Sequence, residues 1–432
     1  MKEVCVISYM PIKHIALLIF AVLVFPGIVF SQDALDLNWE KCQKIAFENN
    51  SALKIKKLTI EEYRYKYLVG LNDYYPKISI GHSAGRSGSE TSDASNSFST
   101  NLSASEKIFS LKTLSSIKTR KISYEKMILN YSIESSNLRY ELANAFMTFL
   151  IAEEKVKVDA KNMEMRKMNA RLLKLKYESG RESRGDSMYA NALYELAKTN
   201  LQGSKRALLS TQRKLAQYLN LPLNTVINAR EDFKLPVVNI TIQEALANIE
   251  KTPKIMALKK DIETTKEAVF SAKYDLYPTL SASQSLRWSG DTELPSSRSW
   301  SLGLSLSLPL FSGGITHYRN NTRALKVNLE SSNENLKNEI SLIRLNLATA
   351  YEDFLNAIDA ARTQVIMLQA NEERYKETQV KYMAGKVSFI DLENIEQNLI
   401  DARLNHLEYL KNANLKKNYL NKLLGIELNA KE

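Results

Sequence analysis

The chain has 432 residues, including 14 glycines, 9 prolines, 2 cysteines and 4 histidines, and its formal net charge is +11. Glycine and proline are scarcer than in average proteins, which excludes a low-complexity linker protein and favours long uninterrupted helices. Two cysteines exclude a disulfide scaffold or a Cys-based zinc module, and four histidines leave little material for a metal site. The 59 Lys and Arg residues are interleaved with 48 Asp and Glu residues, so we expect a solvated helical surface and no nucleic-acid partner.

An apolar segment near the N-terminus, residues 15–24, is followed by Pro26 and Gly27. This pattern is typical of a secretory signal peptide, and we expect residues 1–31 to be removed. The alternative is an N-terminal membrane anchor, although the Pro-Gly pair interrupts the apolar run before it reaches the about 20 residues of a membrane span. Cys42 is then the one remaining thiol, and we interpret it as a small core residue on a helix.

The first pattern after the signal is a strand hairpin, predicted at residues 77–106, in which serine and glycine alternate with apolar residues. A second hairpin with the same alternation is predicted at residues 279–308. Alternation with a period of two indicates half-buried strands. We expect the outward loops of the two hairpins at residues 87–95 and 289–297.

Serine is the unusual component of these strands. A soluble sheet would usually carry charges on its wet face, whereas serine facing a water-filled lumen and apolar side chains facing lipid are typical of an outer-membrane barrel. Four strands per chain are too few for a closed barrel, and lipid forbids an open sheet edge, so the pattern predicts an oligomer. The side chains predicted to face lipid are Trp288, Trp300, Leu302, Leu304 and Leu306.

Each hairpin is followed by a predicted long helix, at residues 112–178 and 314–383. Apolar residues recur there at alternating spacings of three and four, which is the coiled-coil period. Helices of this length span roughly 100 Å and do not fit into a compact globular domain. The two seams are Ile128, Tyr131, Ser135, Leu138, Leu142, Ala145, Phe149 and Ala152, and Ile340, Ile343, Leu347, Ala350, Phe354, Ala357 and Ala361.

Several motifs occur twice, in the same order and at a nearly constant offset. The Tyr-Pro pair of residues 75–76 returns at residues 277–278, and the Tyr-x-x-Gly-x5-Asp motif of residues 177–186 returns at residues 382–391. This recurrence predicts that the chain after the signal is two copies of one unit. We assign a first copy to residues 32–222, a connector to 223–239, and a second copy with a C-terminal tail to 240–432, with shorter returning helices at 187–220 and 390–424.

The chain resembles the TolC-like outer-membrane efflux proteins (outer membrane factors) in the order of its elements. After a signal peptide, both have a helix, a strand hairpin, a long helix, a glycine turn and a returning helix, and this series occurs twice. The most specific residues are the two Tyr-Pro pairs, the Leu-Pro-Leu-Phe-Ser-Gly-Gly segment at 308–314 and the two Tyr-x-x-Gly-x5-Asp turns. Residues 107–112, at the equivalent position of the first copy, do not have the Pro-Leu-Phe-x-Gly-Gly pattern that the family often has there. The resemblance implies a mixed α+β membrane protein, in which a trimeric, twelve-stranded outer-membrane β-barrel with four strands per chain continues into a long coiled-coil α-helical periplasmic barrel. It also implies an equatorial layer, for which residues 37–50, 224–251 and the tail are candidates.

The same resemblance implies a function. The protein would be the passive exit duct of a tripartite efflux or type I secretion system, in the cell outer membrane of a Gram-negative bacterium. The implied partners are two further copies of the chain, a periplasmic adaptor (membrane fusion) protein, an inner-membrane transporter of RND, ABC or MFS type, and outer-membrane lipid. The sequence contains no nucleophile elbow, phosphate-binding glycine loop or zinc-binding helix motif, so we expect no enzyme activity, metal or cofactor. The alternative is a periplasmic coiled-coil scaffold or adaptor without a pore, which explains the helices but not the strands.

The two glycine turns have a structural interpretation and a functional one. Gly180 and Gly385 end the long helices, where glycine readily takes a left-handed cap. Asp186 and Asp391 lie six residues further on, where a carboxylate caps the returning helix and meets its positive end. In the functional interpretation, threefold symmetry brings three Asp391 carboxylates together at the pore mouth, and such a ring favours cations.

The resemblance assigns further roles at these turns. Asp391 matches a ring aspartate of the closed constriction, and Tyr382 and Asp186 match a hydrogen-bonded pair between the two helical hairpins. Two positions depart from the family pattern, since Asn394 replaces a second ring aspartate and Val387 replaces an arginine of the gating network. These departures predict weaker or differently connected gating.

Overall fold

The structure, a computed structural model, describes residues 35–229, 231, 234–237, 241–310 and 313–428. The expected signal peptide, Phe311 and Ser312 of the strand-to-helix motif, parts of the connector and the last four residues lie outside the described residues.

Eight α-helices account for most of the described chain. The two longest contain 68 and 69 residues and are therefore each about 100 Å long. The sequence allows this length because no proline occurs between Lys77 and Leu221 or after Pro309. The helices are α1 Trp39–Asn49, α2 Ser51–Leu71, α3 Leu111–Glu178, α4 Arg184–Tyr218, α5 Ile242–Ala247, α6 Pro253–Tyr274, α7 Ile315–Met383 and α8 Phe389–Leu423. None of the described helices is both long enough and apolar enough to cross a lipid bilayer.

The helices pack as two antiparallel hairpins with additional partners. The long helix α3 packs against the returning helix α4, and α7 packs against α8. Nearer the strands, α2 and α6 both pack against α3, and α6 also packs against α7. Contacts between α3 and α8 join the two hairpins into one structure.

Six β-strands form two separate sheets in the described residues. Strands β1 and β4 form a short parallel pair, and the other four form an antiparallel sheet in the order β2-β3-β5-β6. In that sheet β2 and β6 are the edges, each with one partner within the chain. The strands are β1 Leu35–Leu37, β2 Lys77–Ser89, β3 Ser92–Phe109, β4 Ile227–Ala229, β5 Thr279–Gly290 and β6 Ser297–Ser307.

The first hairpin differs from the sequence-based expectation at its outward end. The segment expected as a loop, residues 87–95, is mostly strand, and only Glu90 and Thr91 form the turn. The ladder of paired residues continues outward through Ser87–Ser95 and Ser89–Ser92. At the other end of β3, the pairing with β5 shifts register between Lys107 and Phe109, within the segment that departs from the family pattern.

The largest apolar cluster lies where the short parallel sheet meets the helices. Leu142, Phe146 and Phe149 of α3 are fully buried there, together with Leu37 and Cys42. Cys42 is therefore a core residue on a helix, and burial raises the pKa of its thiol to about 12. Most of the two predicted seams are also buried, whereas Ile128 at the start of the first seam is 42% exposed.

Candidate functional site

The two turns that join the long helices to the returning helices have the same backbone. Gly180 and Gly385 have φ values of +73° and +72°, in the left-handed region that glycine adopts without steric cost. In each turn the N–H of the residue after the glycine donates to the carbonyl five residues earlier, at 2.8 and 2.9 Å. This is the Schellman arrangement, which satisfies carbonyl groups left free at a helix end.

The returning helices also begin alike. The N–H groups of Asp186 and Asp391 donate to the hydroxyls of Ser183 and Ser388 at 3.0 and 3.2 Å. Each serine hydroxyl donates in turn to the aspartate carboxylate at 2.6 Å. At the second turn the Ser388 N–H also donates to Asp391, which completes a capping box. The aspartates thus have the helix-capping role, and the hydrogen bonds from Ser388 lower the pKa of the Asp391 carboxyl.

The tyrosines that precede the two glycines have different surroundings. Tyr177 is 41% exposed, whereas Tyr382 is only 2% exposed. The Tyr382 hydroxyl donates to Glu182 at 2.9 Å, and Lys176 Nζ lies 3.5 Å from the centre of its ring. Burial, followed by the interaction with Glu182, raises the pKa of the Tyr382 phenol.

The hydrogen bond that the family resemblance implies between Tyr382 and Asp186 is thus not the one observed. The Tyr382 hydroxyl donates to Glu182 instead, while the Asp186 carboxylate accepts from Ser183 in its own helix cap. The link still joins the first helical hairpin to the second. Sequence analysis missed Glu182, which lies in the first turn and has no acidic counterpart in the second, where Val387 occupies the equivalent position.

The two positions that depart from the family pattern also differ from each other. Val387 is half-buried and packs against the apolar cluster that contains Tyr382 and Phe389. Asn394 is exposed, as is Asp391. Val387 therefore contributes apolar packing at the turn.

A buried ion pair joins α3 to α8 further along the helices. Arg166 and Glu396, with side chains 5% and 1% exposed, place Nε and Oε1 at 3.2 Å. Asn169 donates to Glu396 at 2.8 Å, and Arg166 donates to Gln397 at 3.0 Å. Burial raises the pKa of Glu396 even though Arg166 acts in the opposite direction. Sequence analysis did not find this cluster, since its members are about 230 residues apart and match no local motif.

The four-stranded sheet has two chemically distinct faces. Trp300, Leu302, Leu304 and Leu306 lie on one face of β6 and are 70–74% exposed. Trp288 lies on the same face, opposite Arg298, and is half-buried. On the other face, serine hydroxyls pair across strands at 2.8–2.9 Å, as in Ser79–Ser103, Ser83–Ser99 and Ser285–Ser301.

A comparison with known protein families identifies this architecture. The family model described as "Outer membrane efflux protein" matches residues 44–221 and 241–426, which together are most of the chain. The protein belongs to the outer membrane efflux protein family. This confirms the family resemblance and the outer-membrane location expected from the sequence. The family is one of efflux proteins rather than of enzymes.

Two characterised relatives are similar over much of their length. The cobalt-zinc-cadmium resistance protein CzcC of Cupriavidus metallidurans is 22% identical over 297 residues, which cover 67% of this chain and 68% of CzcC. The alkaline protease secretion protein AprF of Pseudomonas aeruginosa is 21% identical over 406 residues, which cover 89% of this chain and 83% of AprF.

Solved structures have the same fold. The open state of the MtrE outer membrane channel of Neisseria gonorrhoeae superposes with a TM-score of 0.78 at 20% identity, covering 92% of this chain and 93% of that chain. The CmeC outer membrane channel of Campylobacter jejuni superposes with a TM-score of 0.76 at 18% identity, covering 91% and 87%. The mixed fold expected from the sequence, mostly helical with a smaller β component, is therefore confirmed.

Proposed function

We propose that this protein is the outer-membrane exit duct of a tripartite efflux or type I secretion system, and that three copies build one channel. The observation that carries the proposal is the four-stranded sheet, which has an exposed apolar face and two unpaired edges. Backbone groups at an open sheet edge cannot be satisfied in lipid. Pairing β6 of one copy with β2 of the next satisfies both edges and gives a barrel of twelve strands.

The helices extend the barrel into a tunnel in this proposal. α3 and α7 continue from the strands for about 100 Å each, which is several times the thickness of a bilayer core. Three copies placed side by side give a hollow helical barrel on the periplasmic side. The order of elements occurs twice along the chain, and the family model matches two separate segments. Both facts support the division into two copies, at residues 32–222 and 240–432, joined by the connector at 223–239.

The hairpin turns are the proposed periplasmic constriction. Asp391 is exposed at the start of α8, so threefold symmetry provides a ring of three carboxylates that favours cations. Tyr382 and Glu182 hold the second hairpin against the first, and Asp186 maintains the cap of the first returning helix. The Tyr382–Glu182 hydrogen bond has to break if the two hairpins separate at this point during opening.

The turns also provide the proposed contact with a periplasmic adaptor. Large apolar side chains near Gly180 and Gly385 are exposed within the chain, which suits docking onto other helices. The inner-membrane pump of RND, ABC or MFS type supplies the energy, since the duct itself is passive. The exposed apolar residues are Leu175, Met188, Val380, Met383 and Ile390.

The cargo is proposed only as a class. CzcC is named for resistance to cobalt, zinc and cadmium, and AprF for secretion of alkaline protease. The names of two relatives at similar identity therefore refer to metal-ion resistance in one case and to secretion of a whole protein in the other. This contrast supports a general exit duct whose substrate is selected by its partner proteins.

Membrane fractionation followed by planar-bilayer recording tests the proposal. We expect the protein to sediment with the outer membrane as a heat-labile oligomer and to give small, mostly closed, cation-selective conductances. A soluble periplasmic pool without conductance would instead support a scaffold or adaptor without a pore.

The Asp391 ring has its own test. Asp391→Ala should reduce the cation preference measured as a reversal potential in a salt gradient. Asn394→Ala is the matched control, because Asn394 is exposed on the same helix and carries no charge. An unchanged reversal potential in Asp391→Ala would contradict the ring.

A further inference from the structure

One charged side chain interrupts the serine face of the four-stranded sheet. Arg287 lies in β5, opposite Asn101 of β3 and Ser299 of β6. Its side chain is exposed, and no carboxylate of the described residues forms an ion pair with it. All other residues on this face, in the described segments 79–85, 97–105, 281–289 and 299–307, are serine, glycine or asparagine.

Two tryptophans indicate the height of Arg287 along the strands. Trp288 is the next residue and points to the opposite face, and Trp300 on that face pairs with Leu286. Aromatic girdles of barrels lie at the membrane–water interfaces. Because the hairpin end of β5 is the end away from the helices, Arg287 is level with the outer interface.

The other charges of this face lie at its ends. Lys77 and Lys107 are next to the helices, Lys77 is paired with Asp73, and Asp93 lies at the hairpin end of β3. Asp291 follows Arg287 by four residues, about 14 Å at about 3.4 Å per residue. Among the described residues, no acidic side chain of the hairpin loops forms an ion pair with Arg287.

We propose that Arg287 forms a ring of three guanidinium groups inside the barrel near its outer mouth, and that this ring attracts anions. The inference rests on the proposed trimeric duct. The ligands are small inorganic anions and the carboxylate or phosphate groups of exported molecules. A guanidinium stays charged at every physiological pH and binds both kinds of group, and the low-dielectric wall of a pore concentrates the field of a charged ring.

The ring adds a second selectivity element of opposite sign to the first. Asp391 favours cations at the periplasmic end, whereas Arg287 favours anions at the outer end. Since the two act in series, the effect of Arg287 is measured most directly when Asp391 is neutralised.

The test compares two arginines that have the same charge and nearly the same height but lie on opposite faces. Arg287→Gln and Arg298→Gln are each made in the full chain and in the Asp391→Ala background. Arg298 is the matched control because it lies opposite Trp288 on the apolar face. Reversal potentials are recorded in a potassium chloride gradient across planar bilayers. Unheated gel electrophoresis checks that each variant forms the same oligomer as the wild type.

We expect Arg287→Gln to shift the reversal potential toward cation selectivity in both backgrounds. Arg287→Lys should keep the wild-type value, and Arg298→Gln should leave it unchanged. The ring is refuted if Arg287→Gln conducts with the wild-type reversal potential, or if Arg298→Gln produces the same shift. A wild-type protein that never conducts would contradict the duct itself, and the ring with it.

Discussion

The turn at Gly180 and the turn at Gly385 share a left-handed glycine, a Schellman hydrogen bond and a serine–aspartate cap. They differ in what surrounds them, since Tyr177 is 41% exposed and Tyr382 is 2% exposed. The backbone of each turn depends on residues within six positions of the glycine. The surroundings depend on the other hairpin, whose Glu182 accepts a hydrogen bond from the Tyr382 hydroxyl. Two turns with the same local motif therefore acquire different roles through packing.

The largest expected effect concerns the ion pair that holds the second hairpin against the first. Arg166→Met leaves the Glu396 carboxylate buried without its partner, and we expect a loss of about 3–5 kcal/mol in the free energy of unfolding. The double variant Arg166→Met/Glu396→Leu removes both charges and should recover most of that loss. Denaturant unfolding of detergent-solubilised protein, followed by circular dichroism, measures both. A double variant as unstable as the single one would show that the charges are not the cause.

The similarity of the two turns is tested by their glycines. Gly180→Ala and Gly385→Ala both force a side chain into the left-handed region, so each should cost about 1–2 kcal/mol in the free energy of unfolding. Gly203 lies inside α4 with open space around it, and Gly203→Ala should instead gain up to about 1 kcal/mol. Clearly unequal losses of unfolding free energy in the two variants would show that the backbones of the two turns are not equivalent.

The difference between the two turns is tested by their tyrosines. Tyr382→Phe removes the donor to Glu182, and we expect a loss of about 1 kcal/mol in the free energy of unfolding. Tyr177→Phe should have almost no effect, because that side chain is 41% exposed and its hydroxyl has no hydrogen-bond partner among the described residues. Equal effects in the two variants would mean that the contact with Glu182 does not distinguish the turns.

The smallest effect is the dependence of stability on pH. The lowered pKa of Asp391 stabilises the fold above its ordinary value of 3.8, and this contribution is lost as the pH falls through the lowered pKa. The raised pKa of Glu396 acts with the opposite sign. Its contribution is present below the ordinary value of 4.5 and is lost as the pH rises through the raised pKa.

Unfolding midpoints between about pH 3 and about pH 7 separate these two contributions. Ser388→Ala should flatten the acidic limb, because it removes the hydroxyl that donates to Asp391. Glu396→Gln should flatten the part of the stability curve at higher pH, where Glu396 loses its proton. If Ser388→Ala altered only the upper limb, the assignment to Asp391 would be wrong.

Sequence patterns predicted the family, the alternating faces of the strands and a capping role for Asp186 and Asp391, whereas the N-cap serines Ser183 and Ser388 came from the structure. The strand faces and the caps depend on neighbours two to six residues apart, where the residue types alone specify the local conformation. The prediction of a loop at residues 87–95 was wrong, because the two strands continue through that segment and pair Ser87 with Ser95. The Asp391 ring, the trimer and the two-copy division stay predictions.

The residue types of the sequence by themselves determined where the helices end and which face of each strand is apolar, because caps and alternation depend on residues adjacent in the chain. Only the tertiary structure decided that β3 pairs with β5, that Tyr382 meets Glu182 rather than Asp186, and that Arg166 is buried against Glu396. These contacts join residues more than 170 positions apart. Their free energy depends on burial and on partners that are far apart in the chain. No local motif encodes these contacts.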